Sequence, residues 1–193
     1  TRVLSLKGDV QTTATFTTVQ GLLQAGTSNL QGLTSSATAS SASVTGAALT
    51  RASASLTVAK NTGLGDQSLA KNATGLKIGS YALTASTAEG VTVNNMSVKL
   101  SSGDLSNARI KISGVQFGST QGTVASGTTY SFSGSPFTVP AGQTKYVDVY
   151  ADSLSSAAGS VGSVSVLTAC SASGATSLTA ITCSSTDGQA ISF

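Results

Sequence analysis

Apolar and polar residues alternate along much of this chain, a pattern typical of β-strands with one buried face. The clearest case is residues 144–151, in which Val147, Val149 and Ala151 occupy every second position. A Pro-Ala-Gly turn signal lies just before this segment. The pattern predicts a strand that buries these three aliphatic side chains.

Residues 90–100 alternate in the same way, but their phase changes once. The change falls at Asn94-Asn95, between Val93 and Met96. Because Asn tolerates left-handed backbone, an Asn pair inside a strand predicts a β-bulge.

Shorter alternating runs predict the remaining strands, and turn signals separate them about every eight to twelve residues. The runs are residues 51–60, 76–83, 108–113, 129–132, 136–139, 162–169, 177–183 and 189–193. Residues 22–24 and 64–70 are candidates for single helical turns. The sequence predicts an all-β protein: an Ig-like or Greek-key β-sandwich over residues 51–193, with a strand-forming extension over residues 1–50.

The extension has strand-like runs of its own at residues 3–7 and 10–20. Three or four thin strands cannot bury a core of their own. They are therefore predicted to pair either with the sheet of residues 51–193 or with the sheet of a neighbouring copy. The Ser/Ala-rich residues 35–58 are predicted to be a strand and its lead-in, with a partner outside their own chain. Apolar candidates for a polymerisation strand are Val3, Leu4, Leu6, Val10, Phe16 and Val19.

Two short segments resemble each other. SVTGAALT (43–50) matches STDGQAIS (185–192) in the positions of Gly, Ala and hydroxyl residues. Leu33-Thr34-Ser35 and Leu178-Thr179-Ala180 lie at a similar distance before the two segments. A repeat would make residues 1–50 the last hairpin of a β-module, whereas chance similarity among common residues is the alternative.

The amino-acid composition argues against disorder, nucleic-acid binding and membrane-spanning segments. Charged residues make up 9% of the chain and the net charge is +3, which does not fit disorder. The ten Lys and Arg residues are scattered, so a nucleic-acid surface is not expected. No apolar run reaches about 18 residues, so no membrane-spanning segment is predicted.

The sequence contains few of the residues that catalysis or metal binding requires. The chain has no His, which removes Ser–His and Cys–His nucleophiles and the commonest metal ligand. Ser68-Leu69-Ala70-Lys71 matches the S-x-x-K pattern, but the Lys-Thr-Gly element of such enzymes is missing. We therefore expect no enzyme activity, no cofactor and no metal site.

Cys170 and Cys183 flank a segment in which Ser173-Gly174 can reverse the chain. A disulfide between facing strands is predicted, with two free buried thiols as the alternative. A disulfide implies an oxidising compartment, most simply the cell exterior. Asn72 and Asn95 begin N-x-Ser/Thr patterns and are possible glycosylation sites.

Residues 105–121 and 136–152 resemble an Ig-like β-sandwich module of secreted, often repetitive bacterial surface proteins. The motif that carries the likeness is Val139-Pro140-Ala141-Gly142, followed by an alternating strand that ends at Ala151-Asp152. The additional amino-terminal segment is similar to the exchanged segment of donor-strand pilins and related fibres. The resemblance implies an extracellular, cell-surface setting and transfers no catalytic residue.

The expected function is that of a structural subunit of a pilus-like extracellular filament or surface lattice. Identical subunits would assemble head-to-tail into a homopolymer by β-strand exchange. The alternative is a binding or stalk module of a cell-surface adhesin. In that case residues 1–50 either fold onto their own sheet or belong to a preceding repeat.

Overall fold

The computed structural model describes residues 5–11, 14–158, 162–163 and 165–193. All regular structure in these residues is β-strand. In chain order the strands are β1 (Thr18–Val19), β2 (Leu22–Leu23), β3 (Gly26–Gln31), β4 (Thr38–Ser41), β5 (Val44–Thr45), β6 (Leu49–Thr50), β7 (Leu56–Lys60), β8 (Gln67–Ser68), β9 (Leu76–Ala85), β10 (Val91–Leu100), β11 (Leu105–Ile112), β12 (Val115–Thr123), β13 (Thr128–Val139), β14 (Thr144–Ser153), β15 (Gly162–Ser163), β16 (Ser165–Gly174), β17 (Ala180–Thr182), β18 (Thr186–Asp187) and β19 (Ala190–Ser192).

The chain divides into two compact units, Thr1–Ala52 and Ser53–Phe193. The first unit contains β1–β6, which pair with one another as β1 with β6, β2 with β5 and β3 with β4. The prediction that residues 35–58 pair outside their own chain is therefore wrong for the part in β4–β6. These short strands find their partners in the preceding arm of the same hairpin.

The second unit is sandwich-like, with two five-stranded antiparallel sheets. One sheet has the order β12-β11-β14-β9-β7, and the other has the order β13-β10-β16-β17, with β18 also paired to β16. A small sheet of β15, β19 and β8 completes the unit, and β8 runs parallel to β19 in it. Apolar side chains from both large sheets form one buried cluster.

The predicted strand faces are confirmed in this core. Val147, Val149 and Ala151 of β14 are fully buried, as the alternation requires. The all-β prediction is thereby confirmed, while the Ig-like Greek-key identification stays a prediction.

The predicted bulge in β10 is confirmed as well. The register of β10 shifts between Val93 and Asn95 in its pairing with β13 and again in its pairing with β16. The shift keeps Val93 and Met96 both buried although they lie an odd number of residues apart.

Several predicted boundaries differ from the structure. The two helical turns are wrong, because Leu22–Leu23 and Gln67–Ser68 are strands. The strand predicted to begin at residue 51 begins at Leu56. The segments 129–132 and 136–139 form one continuous strand, Thr128–Val139. Pro136 does not interrupt that strand because it lies on an edge of the sheet.

The edges of the two large sheets meet at a pair of glycines. A Cβ atom on Gly134 in β13 would lie 2.7 Å from the backbone nitrogen of Gly118 in β12. Gly118 itself has a φ of +77°, in the left-handed region. Only glycine fits this approach without moving the backbone.

Candidate functional site

The first unit is one long hairpin, the amino-terminal hairpin (residues 18–50). Backbone hydrogen bonds continue the pairing beyond its short strands, for example from the Arg51 nitrogen to the Thr17 oxygen at 2.9 Å. None of the described residues from 5 to 52 is buried. An isolated two-stranded hairpin is at best marginally stable in water, so this unit lacks the cover that a sheet normally has.

The outer edge of β3 has no strand partner among residues 5–11 and 14–52. Unpaired strand edges and exposed apolar side chains together favour pairing with another strand. The large apolar side chains exposed in this unit are Leu6, Val10, Phe16, Val19, Leu22, Leu23, Leu30, Leu33, Val44 and Leu49.

The residues predicted to form a polymerisation strand do not lie in one strand. Val3 and Leu4 fall outside the described residues. Leu6 and Val10 lie in a segment without strand structure, and Phe16 precedes β1. Val19 lies in β1, where it pairs with Leu49.

The second unit ends in a comparable hairpin, the carboxy-terminal hairpin (residues 162–192). One arm contains β15 and β16, and the other contains β17, β18 and β19. The predicted disulfide between Cys170 and Cys183 is present and joins the two arms, with a Cα–Cα distance of 5.2 Å. The disulfide is compatible with an extracellular location.

The two hairpins reverse the chain through the same turn. The backbone nitrogen of Gly32 donates to the oxygen of Ala37 at 2.9 Å. The nitrogen of Gly174 donates to the oxygen of Thr179, also at 2.9 Å. Each residue of the second pair lies 142 positions after its counterpart in the first.

The same turns share an unusual backbone conformation. Ser36 has a φ of 53° and its counterpart Leu178 has a φ of 56°. Left-handed backbone is uncommon for residues other than glycine, so a shared position is informative. In each turn this residue donates its backbone N–H to the glycine, Gly32 or Gly174, at 3.0 Å.

The arms next to the turns keep the same register. Leu30 pairs with Ala39, and 142 residues later Ala172 pairs with Ile181. The large and small side chains have changed places across the strand pair. Such an exchange conserves the summed side-chain volume of the pair.

The segments 43–50 and 185–192, which match in sequence, also match in structure. The backbone nitrogen of Gly46 donates to the oxygen of Gly21 at 2.8 Å, and that of Gly188 donates to the oxygen of Ser165 at 2.8 Å. The further match of residues 33–35 with 178–180 is wrong by three residues. In the structure the counterpart of 33–35 is 175–177.

Glu89 distinguishes the surroundings of the two turns. Its Oε2 accepts hydrogen bonds from the backbone nitrogens of Thr176 at 2.8 Å and Ser177 at 2.9 Å. Hydrogen bonds from the Ser177 side chain and backbone and from the Thr176 backbone hold the pKa of Glu89 below its ordinary value. They outweigh the opposing effect of desolvation. Asp9 is the only acidic residue within residues 1–52.

Gln189 anchors the carboxy-terminal hairpin in the second unit. It is fully buried, and its Oε1 accepts a hydrogen bond from the Ser80 nitrogen at 2.8 Å. Its Nε2 donates to the backbone oxygens of Asn61 and Leu64, both at 2.9 Å. The counterpart in the amino-terminal hairpin is Ala47, which cannot make these bonds.

Sequence reasoning missed both Glu89 and Gln189 as positioning residues. Their partners lie far away in the sequence, so no local pattern identifies them. The turns themselves had a signal, because Gly-x-Thr-Ser occurs at residues 32–35 and again at residues 174–177.

The two candidate glycosylation sites differ in access. Asn72 is exposed in a loop, where a sugar has room. Asn95 is half-buried at the bulge of β10, between Ser133 and Ser171 on the neighbouring strands. Of the two, Asn72 is the more accessible acceptor.

Across the described parts of the chain, no three His, Cys, Asp or Glu side chains lie close enough to share a metal ion. The described residues also contain no helix of the length and apolarity needed to cross a membrane.

Comparison with known proteins adds no relative. No known protein family matches this chain, and no curated protein or solved structure is significantly similar to it. The likeness between the two hairpins of the chain itself is therefore the main basis for inferring a function.

Proposed function

We propose that this chain is a structural part of an extended extracellular surface assembly, in which the amino-terminal hairpin pairs with a β-module other than residues 53–193. The observation that supports it most is the hairpin itself. It has an antiparallel ladder of short strand pairs, an open edge on β3 and exposed apolar side chains. β-Augmentation, the addition of a strand to such an edge, satisfies backbone groups and covers apolar surface together.

The module with which the hairpin pairs can come from either of two sources. If it belongs to a separate, identical subunit, the product is a pilus-like filament or lattice built by strand exchange. If it belongs to the same polypeptide, the product is a stalk of successive modules, such as an adhesin uses to extend from the cell surface.

The pairing of β10 favours the stalk. Within the second unit β10 pairs with β13 on one edge and with β16 on the other. A hairpin from an identical subunit would have to displace β16, which the Cys170–Cys183 disulfide ties to the other arm of its own hairpin. The second unit therefore offers no vacant place for an equivalent hairpin.

The experiment compares the full chain with a chain that lacks residues 1–50, by negative-stain electron microscopy and sedimentation over a range of concentrations. Filaments from the full chain alone support strand exchange. Monomers whose amides at residues 18–50 exchange rapidly with solvent support the stalk, because the partner module is then missing. Monomers with protected amides at residues 18–50 at every concentration would overturn the proposal, since the hairpin would be satisfied by its own chain.

A further inference from the structure

We propose that residues 1–52 are the closing part of a second module of the same type as residues 53–193, and that a segment of the type of residues 53–143 completes it. This inference rests on the proposed function, because it identifies the module with which the hairpin pairs. The partner is a β-sheet segment that brings one apolar strand, preceded by a carboxylate, to the open edge of β3.

The likeness extends from the hairpin to the start of the chain. Residues 1–9 (TRVLSLKGD) align with residues 144–152 (TKYVDVYAD), which form most of β14. Thr, a basic residue and a final Asp match, and Leu4 and Leu6 align with the buried Val147 and Val149. The offset of 143 residues agrees with that of the hairpins to within one residue.

Exposed side chains of the hairpin occupy positions that are core positions in the second unit. Register pairs Leu23 with Val44, and the equivalent pair is Leu167 with Thr186. Leu23 is 49% exposed, whereas Leu167 is 0% exposed.

The same holds at two further positions. Leu30 is 51% exposed and its counterpart Ala172 is 5% exposed. Leu49 is 68% exposed and its counterpart Ile191 is 2% exposed. A completed module would therefore cover the hairpin face that bears these leucines.

The missing strand corresponds to β10. In the second unit β10 runs antiparallel to β16, with Met96 opposite Cys170 and Val93 opposite Ala172. Transferred to the amino-terminal hairpin, this register places an apolar strand along β2 and β3, with one apolar residue opposite Leu30. Such a strand also satisfies the backbone groups of the open edge.

The segment that completes the first module must also bring a carboxylate to the turn of the hairpin. In the second unit Glu89 precedes β10 and binds the backbone nitrogens of Thr176 and Ser177. The counterparts of these two residues are Thr34 and Ser35. A β10-like strand that begins Glu-Gly-Val would bring the carboxylate to this turn.

Asp9 also indicates that a segment of the type of residues 53–143 completes the first module. Its counterpart Asp152 accepts hydrogen bonds from the Gly75 nitrogen at 2.7 Å, the Asn107 amide at 2.9 Å and Arg109 at 3.3 Å. All three donors lie within residues 53–143, the type of segment that we propose as the partner of residues 1–52. Asp9 is exposed, whereas Asp152 is half-buried.

The two modules are related but not identical. Ala47 replaces Gln189, and the pair Gly26–Ser41 replaces the disulfide-bonded cysteines. The register of the amino-terminal hairpin also shifts between Gly26 and Leu30, which adds residues to one arm. The first module is therefore fastened by apolar contacts rather than by a buried amide and a disulfide.

The test joins a copy of residues 53–143 directly to Thr1 of the full chain, so that the copy ends at the turn that precedes β14 in the second unit. Hydrogen exchange is then followed at residues 18–50. We expect exchange there to slow by about 100-fold or more, the protection of a folded sheet. Unchanged exchange at residues 18–50, with residues 53–193 protected as before, would contradict the inference.

Matched variants of the copy identify the contacts. V93D and V98D together in the copied β10 remove its apolar face, and protection should be lost. E89Q in the copy removes only the carboxylate, and exchange at residues 32–37 should accelerate several-fold. Equal protection with and without V93D/V98D would overturn the role of β10.

A second chain tests the inference independently of how well the side chains of the copy fit those of the hairpin. It replaces residues 162–193 of the full chain by residues 19–51, so that the amino-terminal hairpin closes residues 53–161. Cooperative unfolding of this chain, with Leu23 and Leu30 inaccessible to labelling after substitution by Cys, supports the inference. If neither chain protects the hairpin, the inference is wrong, whereas filaments from the unmodified chain would still support the proposed assembly.

Discussion

The amino-terminal and carboxy-terminal hairpins share a turn and the strand register next to it, yet their surroundings are opposite. The carboxy-terminal hairpin has a full sheet on its outer edge, a carboxylate at its turn and a buried amide at its end. None of the described residues of the amino-terminal hairpin is buried. Turn chemistry and register can therefore specify the same hairpin locally, whereas burial depends on strands elsewhere. We infer from the exposed leucines of this hairpin that it pairs with a further sheet rather than serving as a linker.

The largest expected contrast between the hairpins is at their equivalent leucines. L167A removes a fully buried side chain and should lower the free energy of unfolding of the second unit by about 4 kcal/mol. L23A in the other hairpin should change it by less than about 0.5 kcal/mol, because Leu23 is half exposed. Urea unfolding of the full chain measures both. Equal losses would mean that Leu23 is already part of a packed core.

The disulfide gives the next largest effect. Replacing Cys170 and Cys183 by Ser should cost about 3 kcal/mol, since the disulfide closes a loop with a sequence separation of 13. G26C with S41C places cysteines at the paired positions of the other hairpin and should form a second disulfide. Mass spectrometry of proteolytic fragments detects it. Free thiols at both positions under oxidising conditions would refute the shared register.

Replacing Gln189 by Ala should lower the free energy of unfolding of the second unit by about 2 kcal/mol. Its removal leaves the Ser80 nitrogen and two backbone oxygens without their buried partner. A47Q at the equivalent position of the other hairpin is the control and should leave the urea midpoint unchanged. A similar loss in A47Q would show that position 47 is enclosed.

The smallest effect concerns Glu89 and depends on pH. Because the pKa of Glu89 is lowered in the folded chain, its contribution is present above about pH 4.5 and is lost as the pH falls through the folded value. E89Q should therefore be less stable than the native chain by about 1 kcal/mol at pH 7, and the difference should be smaller at a second pH below 4.5. Thermal unfolding at both pH values measures this difference. A constant difference would assign the loss to packing instead of charge.

Some of this structure follows from sequence and some does not. Alternation predicted the buried faces of β10 and β14, and Asn94-Asn95 predicted the bulge, because both signals are local. The partners of β4–β6 were not predicted, since short Ser/Ala strands carry little information about register. The contact from Glu89 to Thr176 was also missed, because it joins residues 87 positions apart. The repeated Gly-x-Thr-Ser turn was available in the sequence and was aligned three residues away from its true counterpart.

The Cys170–Cys183 disulfide has a mechanical consequence. While it is intact, tension applied to the two ends of the second unit cannot extend the loop that it closes, with its sequence separation of 13. At about 3.5 Å per extended residue, this withholds roughly 45 Å of contour length. The amino-terminal hairpin has no cysteine and releases its full length when pulled. A stalk made of both kinds of module would lengthen in unequal steps, and a reducing agent would make those steps more alike.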